Sequence, residues 1–334
     1  MSEELLVTAR ENALIDPSLH IWTWEVAMYL FLGGLTAGIM VFAAIMALRR
    51  DDDATPFSST QLALLAPIVL SLGMTTLFLD LEHKLYVFRF YTAFQIASPM
   101  SWGAWILLLI YPVSILQILS TIRRGYPVAT PYVDRWSMTS ALVNWCEKHR
   151  RQIALVAIPS AMALGIYTGI LLSAFSARPF WNSGVLGPLF LVSGLSTAAA
   201  LVALISSKKS EKELFTRIDL AIIMAEIALV GLFVVNLATG SAQQIEALGS
   251  IMGGTYTVVF WVLFVGFGLI IPLLFEMLEM RGMLKSLAMV APVLVLLGGY
   301  TLRQVMLDAG QESSWTNYPT QYNAELLDRL ETRN

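Results

Sequence analysis

Residues 22–48 read WTWEVAMYLFLGGLTAGIMVFAAIMAL and contain a single charged side chain, Glu25. A helix needs about 20 apolar residues to cross roughly 30 Å of hydrocarbon, and this stretch is long enough to do so. Further apolar runs of similar length extend over Gln61 to Leu79, Pro99 to Leu119, Ile153 to Phe175, Val185 to Ile205, Leu214 to Leu237, Thr255 to Phe275 and Leu284 to Leu302. The sequence therefore predicts an all-α integral membrane protein with eight transmembrane helices.

The composition of the 334-residue chain also favours a membrane protein. Hydrophobic residues make up 57% of it, charged residues 13%, and the mean hydropathy is +0.68, whereas a soluble domain carries about 25% charged residues. One cysteine and three histidines are too few for an iron–sulfur cluster, which needs about four thiolates. None of the histidines lies deep in a predicted span, where a b-type haem would need its ligands. We therefore expect no haem and no iron–sulfur cluster in this chain, and the lack of a basic excess excludes a nucleic acid partner.

The distribution of Lys and Arg predicts the orientation of the chain. Of the 21 basic residues, 14 lie in the first, third, fifth and seventh connections between spans, and the other 7 lie on the opposite side. Basic residues near span ends are retained in the cytoplasm, so both termini are predicted on the outer, periplasmic face of a bacterial inner membrane. The chain is then a single membrane domain, with outer segments 1–21 and 303–334 and a cytoplasmic loop, 120–152, between spans one to three (22–119) and spans four to eight (153–302).

A weak internal similarity relates the first and fifth spans. The stretch 31–36, FLGGLT, resembles 190–197, FLVSGLST, once inserted residues are allowed for. This similarity predicts two four-helix bundles in tandem. Small residues also recur wherever helices pack closely in lipid, which is the alternative explanation.

Polar and aromatic side chains gather at the predicted outer face. They are Trp24, Glu25, Asp80, His83, Ser98, Trp102 and Tyr167. The tryptophans also suit an interfacial aromatic belt, and His83 also suits a wetted loop. Ser98 suits the N-cap of span three, because Pro99 follows it. Glu25 lies one turn inside a span, where a carboxylate is costly and is commonly paired or functional, and Arg303 at the predicted outer end of span eight is a possible partner.

Two further acids, Asp219 and Glu226, lie inside the predicted sixth span. They are seven residues apart, so they share one helix face at a separation of about 10 Å along the axis. One interpretation is structural, with Arg217 as an ion-pair partner or a hydrogen bond between helices. The other is a proton relay from the inner side, with Glu226 near the middle of the membrane.

Several strings of the sequence resemble the NrfD/PsrC family, the membrane subunits of polysulfide reductases. The strings are Trp24-Glu25, LFLGGL at 30–35, LDL at 79–81, SPMSWGAW at 98–105, YTGILLS at 167–173 and GGYTLR at 298–303. They fall in order from the first span to the last, so the resemblance covers most of the chain. The string Glu82-His83-Lys84 departs from the Gly-Arg-Pro of many relatives, which leaves the subfamily open.

The resemblance implies a quinone-reactive membrane anchor that takes menaquinone or ubiquinone. Such an anchor exchanges electrons with a four-cluster iron–sulfur subunit, and through it with a molybdopterin or other catalytic subunit of a respiratory oxidoreductase. In the family the quinone site lies at the outer face and uses a histidine near the start of span one and a tyrosine in span four. The corresponding residues here are His20 and Tyr167, and His83 is the alternative histidine.

The same resemblance implies supporting roles for neighbouring residues. Trp24 would contact the quinone, Glu25 and Asp80 would handle protons, and Arg303 would fix the charge of Glu25. Ser98 and Trp102 would have structural roles.

Two other functions stay open at the level of sequence. One is a proton-coupled transporter with Glu226 and Glu25 as coupling acids. It would be expected to have broken spans near the midplane, yet Pro67, Pro159 and Pro292 occur without paired charges. The other is a subunit of a quinol-oxidising complex of the alternative complex III type, whose relatives are longer and have ten spans.

Overall fold

The computed structural model describes residues 22–49, 52–92, 94–281 and 289–313. Within these ranges, eight helices are long and apolar enough to cross a membrane, which confirms the predicted number of spans. From span one to span eight they are Trp24–Arg49, Phe57–Asp80, Pro99–Leu119, Arg150–Ser173, Leu186–Ile205, Lys209–Ala238, Val259–Met280 and Val290–Glu312. All regular secondary structure in the described ranges is helical, as predicted.

Three spans extend past their predicted ends by five residues or more. The sequence predicts the end of span eight at Leu302, whereas the helix continues to Glu312. Arg303 therefore lies in the middle of this helix and not at its outer end. Span six begins at Lys209, and span seven continues to Met280, so both helices reach further towards the connections than their apolar runs do.

The two described ends of the chain meet on one side of the helix bundle. The backbone N–H of Trp22 donates to the Gln311 side chain at 2.9 Å, and the Gln311 amide donates back to the Trp22 carbonyl at 2.8 Å. We call this side the terminal face, and the side with the connection 120–149 the loop face. The placement of the terminal face outside the cytoplasm stays a prediction.

Span one lies at the centre of the packing, against spans two, four, five and eight. Its crossing with span five depends on glycines. A Cβ built on Gly38 would lie 2.3 Å from the carbonyl oxygen of Gly194, and one built on Gly194 would lie 2.4 Å from that of Gly34. Small residues let helix backbones approach closely in lipid, so the similar stretches of spans one and five pack on each other. The division into two four-helix bundles stays a prediction.

Short helices occupy the connections on both faces. On the loop face, the connection between spans three and four contains the helix Ser137–Lys148. On the terminal face, Ala242–Gly249 follows span six and begins with a capping box formed by Ser241 and Gln244. These helices keep long connections ordered against the ends of the spans.

Candidate functional site

A cavity of about 400 Å³ opens at the terminal face between the first four spans. Most of its wall is apolar, from leucine, methionine, valine and phenylalanine side chains. The tyrosine, tryptophan and acidic residues that line it are Trp22, Tyr29, Asp80, Tyr91 and Tyr167. An apolar cavity with a few convergent polar groups is the usual form of a small-molecule site.

Tyr167 of span four is buried, and its phenol lies directly against Gly103 of span three. A Cβ built on Gly103 would come within 2.0 Å of the phenol oxygen. The glycine of the string SPMSWGAW at 98–105 thus leaves the space that Tyr167 occupies. Tyr29 of span one is also buried and is an electrostatic neighbour of Tyr167. Neither phenol hydroxyl forms a hydrogen bond within the described residues, so both can bind a ligand.

Asp80 ends span two and brings a carboxylate to the rim of the cavity. Glu25 is an electrostatic neighbour of Asp80 and accepts a hydrogen bond from the Thr23 hydroxyl. The predicted pairing of Glu25 with Arg303 is wrong. Span eight extends well past Arg303, so this residue does not lie at the outer end of the helix. Its guanidinium forms hydrogen bonds in the interior of the protein.

His83 lies beside the cavity and does not line it. It faces a wider hollow of about 940 Å³ at the terminal face. The cavity and this hollow share Leu81, Phe90 and Met100 as lining residues, so they are adjacent. The other predicted histidine, His20, lies outside the described residues.

Three predicted residues near the terminal face do not line the cavity. Trp24 is half exposed at the start of span one, and Trp22 lines the cavity in its place. Trp102 is exposed, and its indole N–H donates to a backbone carbonyl of the preceding connection at 2.7 Å. Ser98 occupies the N-cap position of span three, but its side chain forms no capping hydrogen bond. Of these three, Trp102 fixes the preceding connection through its hydrogen bond. Tyr29 and Tyr91, the latter in the connection after span two, supply cavity wall that the sequence alone does not single out.

Arg303 is fully buried in span eight and forms the centre of an interior charge cluster. Its guanidinium donates to the Ser193 hydroxyl at 2.5 Å and to the carbonyl oxygens of Gly299 and Phe190 at 2.9 Å each. Glu226 of span six is an electrostatic neighbour of Arg303 and of the Ser193 hydroxyl. The acid that interacts electrostatically with Arg303 is thus Glu226, and no ion pair joins Arg303 to Glu25 within the described residues.

A second acidic group lies closer to the loop face. Asp219 of span six accepts a hydrogen bond from the Ser196 hydroxyl at 2.6 Å and faces the carboxyl of Glu276 on span seven. One oxygen of each carboxyl is buried without a hydrogen-bond partner among the described residues. Arg217 is exposed and does not pair with Asp219. Sequence reasoning misses Glu276 because the apolar run of span seven ends at Phe275, one residue before it.

The cavity and the charge cluster are close to each other along span one. A Cβ built on Gly34 would lie 3.0 Å from a guanidinium nitrogen of Arg303. Leu30, one helical turn before Gly34, lines the cavity. One turn of helix is about 5.4 Å, so the charge cluster begins roughly one turn below the cavity floor.

Comparison with known proteins agrees with this architecture. The family model described as "Polysulphide reductase, NrfD" matches residues 13–313. The C chain of polysulfide reductase from Wolinella succinogenes is 28% identical over 304 residues, which covers 87% of this chain and 94% of that protein. Protein NrfD of Escherichia coli is 29% identical over 303 residues, with 87% and 95% covered. The C subunit of tetrathionate reductase from Salmonella typhimurium is 25% identical over 214 residues, with 63% and 56% covered. With a match that runs from the N-terminal segment to the end of span eight, this multi-pass membrane protein belongs to the polysulphide reductase NrfD family.

Proposed function

We propose that this chain is the quinone-reactive membrane subunit of a respiratory oxidoreductase complex. The observation that carries the proposal is the cavity between the first four spans, where two buried phenols and a carboxylate meet an apolar wall. Family membership supports the proposal, since two of the relatives are named as components of polysulfide and tetrathionate reductases.

The chemistry of a quinone fits these groups. Reduction of a quinone to a quinol takes up two electrons and two protons, and each carbonyl oxygen needs a hydrogen-bond donor. The phenols of Tyr29 and Tyr167 are the donors, and the apolar wall accommodates the ring and tail. Asp80 is the proton-handling carboxylate at the rim of the cavity. His20 and His83 are the proposed histidine donors, the first at the start of span one and the second in the adjoining hollow.

The electrons come from or go to a partner subunit at the terminal face. The connection between spans two and three exposes large apolar side chains, including Leu85, Phe88, Phe94 and Ile96. Contiguous exposed apolar surface commonly marks a protein interaction site. We place a four-cluster iron–sulfur subunit there, next to the cavity, and a molybdopterin or other catalytic subunit beyond it.

The interior acids provide a route for protons from the loop face. Asp219 and Glu276 lie nearer the loop face, and Glu226 lies about 10 Å further along span six. Arg303 and Ser193 link Glu226 to the region below the cavity. In this proposal the protons that the quinone takes up enter through these carboxyls, and turnover is coupled to proton translocation across a bacterial inner membrane with the terminal face periplasmic.

Paired substitutions in the assembled complex test the site. Tyr167→Phe removes the hydroxyl and keeps the ring, and Gly103→Ala places a methyl group where the phenol lies. We expect quinone turnover by Tyr167→Phe to fall roughly 100-fold, the size of a general acid–base contribution, and turnover by Gly103→Ala to fall as well. Tyr132→Phe, on the exposed loop-face connection, and Gly231→Ala, which meets nothing within 4 Å, are the matched controls.

The histidines are tested in the same assay. His20→Ala is expected to impair turnover while the complex still assembles, and His83→Ala measures the contribution of the adjoining hollow. Wild-type turnover in both Tyr167→Phe and His20→Ala would contradict the proposed site.

A further inference from the structure

The loop-face helix Ser137–Lys148 has an exposed apolar stripe, in which Trp145 stacks on His149 with the ring centroids 4.6 Å apart. Val143 and Cys146 form its buried face and pack towards spans three and four. Met138, Leu142 and Trp145, spaced four and three residues apart, share a different face and are exposed. Met138 is 81% exposed, whereas Val143 is 1% exposed.

The residues before the helix also expose apolar side chains. Val128 is 82% exposed, Tyr132 is exposed, and Trp136 is 69% exposed. These side chains add an aliphatic and two aromatic groups to the same connection. Tryptophan and tyrosine are enriched where a membrane meets water, because their rings are apolar and their N–H or O–H groups are polar.

Hydrogen bonds and ion pairs hold this connection in one orientation. The guanidinium of Arg123 donates to Asp134 at 2.6 Å, to Asn144 at 2.7 Å and to Glu147 at 3.0 Å. One side chain thus joins the turn before the helix to the last two turns of the helix. The stripe therefore has a fixed direction relative to the spans.

The helix lies at the level where two spans end. Span three stops at Leu119, and span four begins at Arg150, two residues after the end of the helix. Arg150 is bound by Asp52 through a bidentate pair at 2.8 and 2.9 Å, which fixes the start of span four to the connection after span one. A helix that packs on the ends of two spans is expected at the depth of the lipid headgroups, about half a bilayer from the midplane.

The unpaired charge of the connection is positive. Its two acids, Asp134 and Glu147, are both ion-paired with Arg123. Arg135, Lys148 and Arg151 are exposed, and none of them forms an ion pair within the described ranges. Amphipathic helices with a basic face bind anionic lipid surfaces, where each basic residue adds an electrostatic attraction.

We propose that the helix Ser137–Lys148 and the residues 127–136 before it bind the anionic phospholipid surface of the loop-face leaflet. The apolar stripe lies between the headgroups and the acyl chains, and Arg135 and Lys148 contact lipid phosphates. The element holds spans three and four at a fixed depth, independently of the quinone chemistry.

Spin labels on neighbouring residues test the immersion of the helix. Met138→Cys places a label on the stripe, and Ser137→Cys places one about 100° away around the helix axis. Cys146 is fully buried, and the unsubstituted protein shows whether it reacts. In vesicles that contain phosphatidylglycerol, we expect the label at position 138 to be more accessible to oxygen than to a water-soluble nickel complex, and the label at 137 to show the reverse. Equal accessibility of both labels to the nickel complex would overturn the proposal.

Charge substitutions and vesicles of different lipid composition test whether the basic residues bind anionic lipid. In the paired variant Arg135→Gln and Lys148→Gln, the protection of the position-138 label from nickel should fall severalfold in phosphatidylglycerol vesicles. Arg281→Gln, at the loop-face end of span seven, is the matched control and should leave it unchanged. The same protection in pure phosphatidylcholine vesicles as in phosphatidylglycerol would overturn the anionic part of the proposal.

Discussion

At the scale of single residues, Tyr167 and Gly103 connect a sequence string to the geometry of a site. The strings that identify the family place Tyr167 and Asp80 at the terminal face, and both line the cavity. Tyr29 and Tyr91 line the same cavity but carry no signal in the sequence. A tyrosine inside an apolar run looks like a packing residue, and only the packing of four helices shows that Tyr29 faces Tyr167.

For Arg303, the sequence indicates a functional residue but predicts the wrong partner for it. From the sequence, its charge is expected at a membrane surface, because a charged side chain in lipid is costly. In the structure, the guanidinium donates hydrogen bonds to the Ser193 hydroxyl and to two backbone carbonyl oxygens, one from span five and one from span eight. Such partners come from distant parts of the chain and leave no local pattern, so the partner of a buried charge cannot be predicted from its neighbours in sequence.

On the loop face, the ion pairs of Asp52 lead us to expect that the free energy of unfolding depends on pH. A hydrogen bond from Arg150, with a second from Arg124, lowers the pKa of Asp52 from 3.8 to about 2. A carboxyl whose pKa is lowered by folding stabilises the fold at pH values above the pKa that it has in the unfolded chain. This contribution is lost as the pH falls towards 2. Asp52→Asn should therefore lower the free energy of unfolding at pH 7 by about 1–2 kcal/mol, after allowance for solvent screening.

Thermal unfolding in detergent between pH 7 and pH 2.5 measures this contribution. The deficit of Asp52→Asn should persist to about pH 4 and shrink below it. Asp53→Asn, an exposed neighbour, is the control and should differ little from the unsubstituted protein. A deficit that is the same at both ends of the pH range would contradict the ion-pair explanation.

At the scale of helices, hydropathy predicts the spans well and their ends less well. The apolar runs find all eight helices that are long and apolar enough to cross a membrane in the described ranges. Their ends shift where a charged residue belongs to the protein interior, as with Glu276 in span seven and Arg303 in span eight. Hydropathy measures the cost of a charge in lipid, whereas these side chains are surrounded by protein.

At the scale of the helix bundle, a substitution of Glu226 on span six tests the proposed proton route from the loop face. Glu226→Gln keeps the size and hydrogen-bonding capacity of the side chain but cannot release a proton. We expect the complex to assemble, and proton uptake from the loop face, measured with a pH dye in liposomes, to slow together with quinone turnover. Glu213→Gln is the control, since Glu213 is an exposed acid on the same helix. Normal turnover with an unchanged number of protons per quinone would mean that Glu226 is structural.

At the scale of the whole molecule, the terminal face combines the two described chain ends, the cavity and the exposed apolar connection after span two. The positive-inside rule predicts that this face is outside the cytoplasm, because 14 of 21 basic residues belong to the other side. An alkaline phosphatase fused after Asn334 should therefore be active, and a fusion in the connection 120–149 should be inactive. Activity of the second fusion and not the first would reverse the orientation of the cavity and of the partner subunit.

The central claim is that the cavity between the first four spans binds a quinone. Photo-crosslinking of the assembled complex with an azido-quinone, followed by mass spectrometry of the labelled peptides, tests it most directly. We expect labels on cavity residues such as Met74, Leu107 and Leu171, and we expect excess unmodified quinone to suppress them. Labels confined to spans five to eight, or labels that persist under competition, would contradict the account.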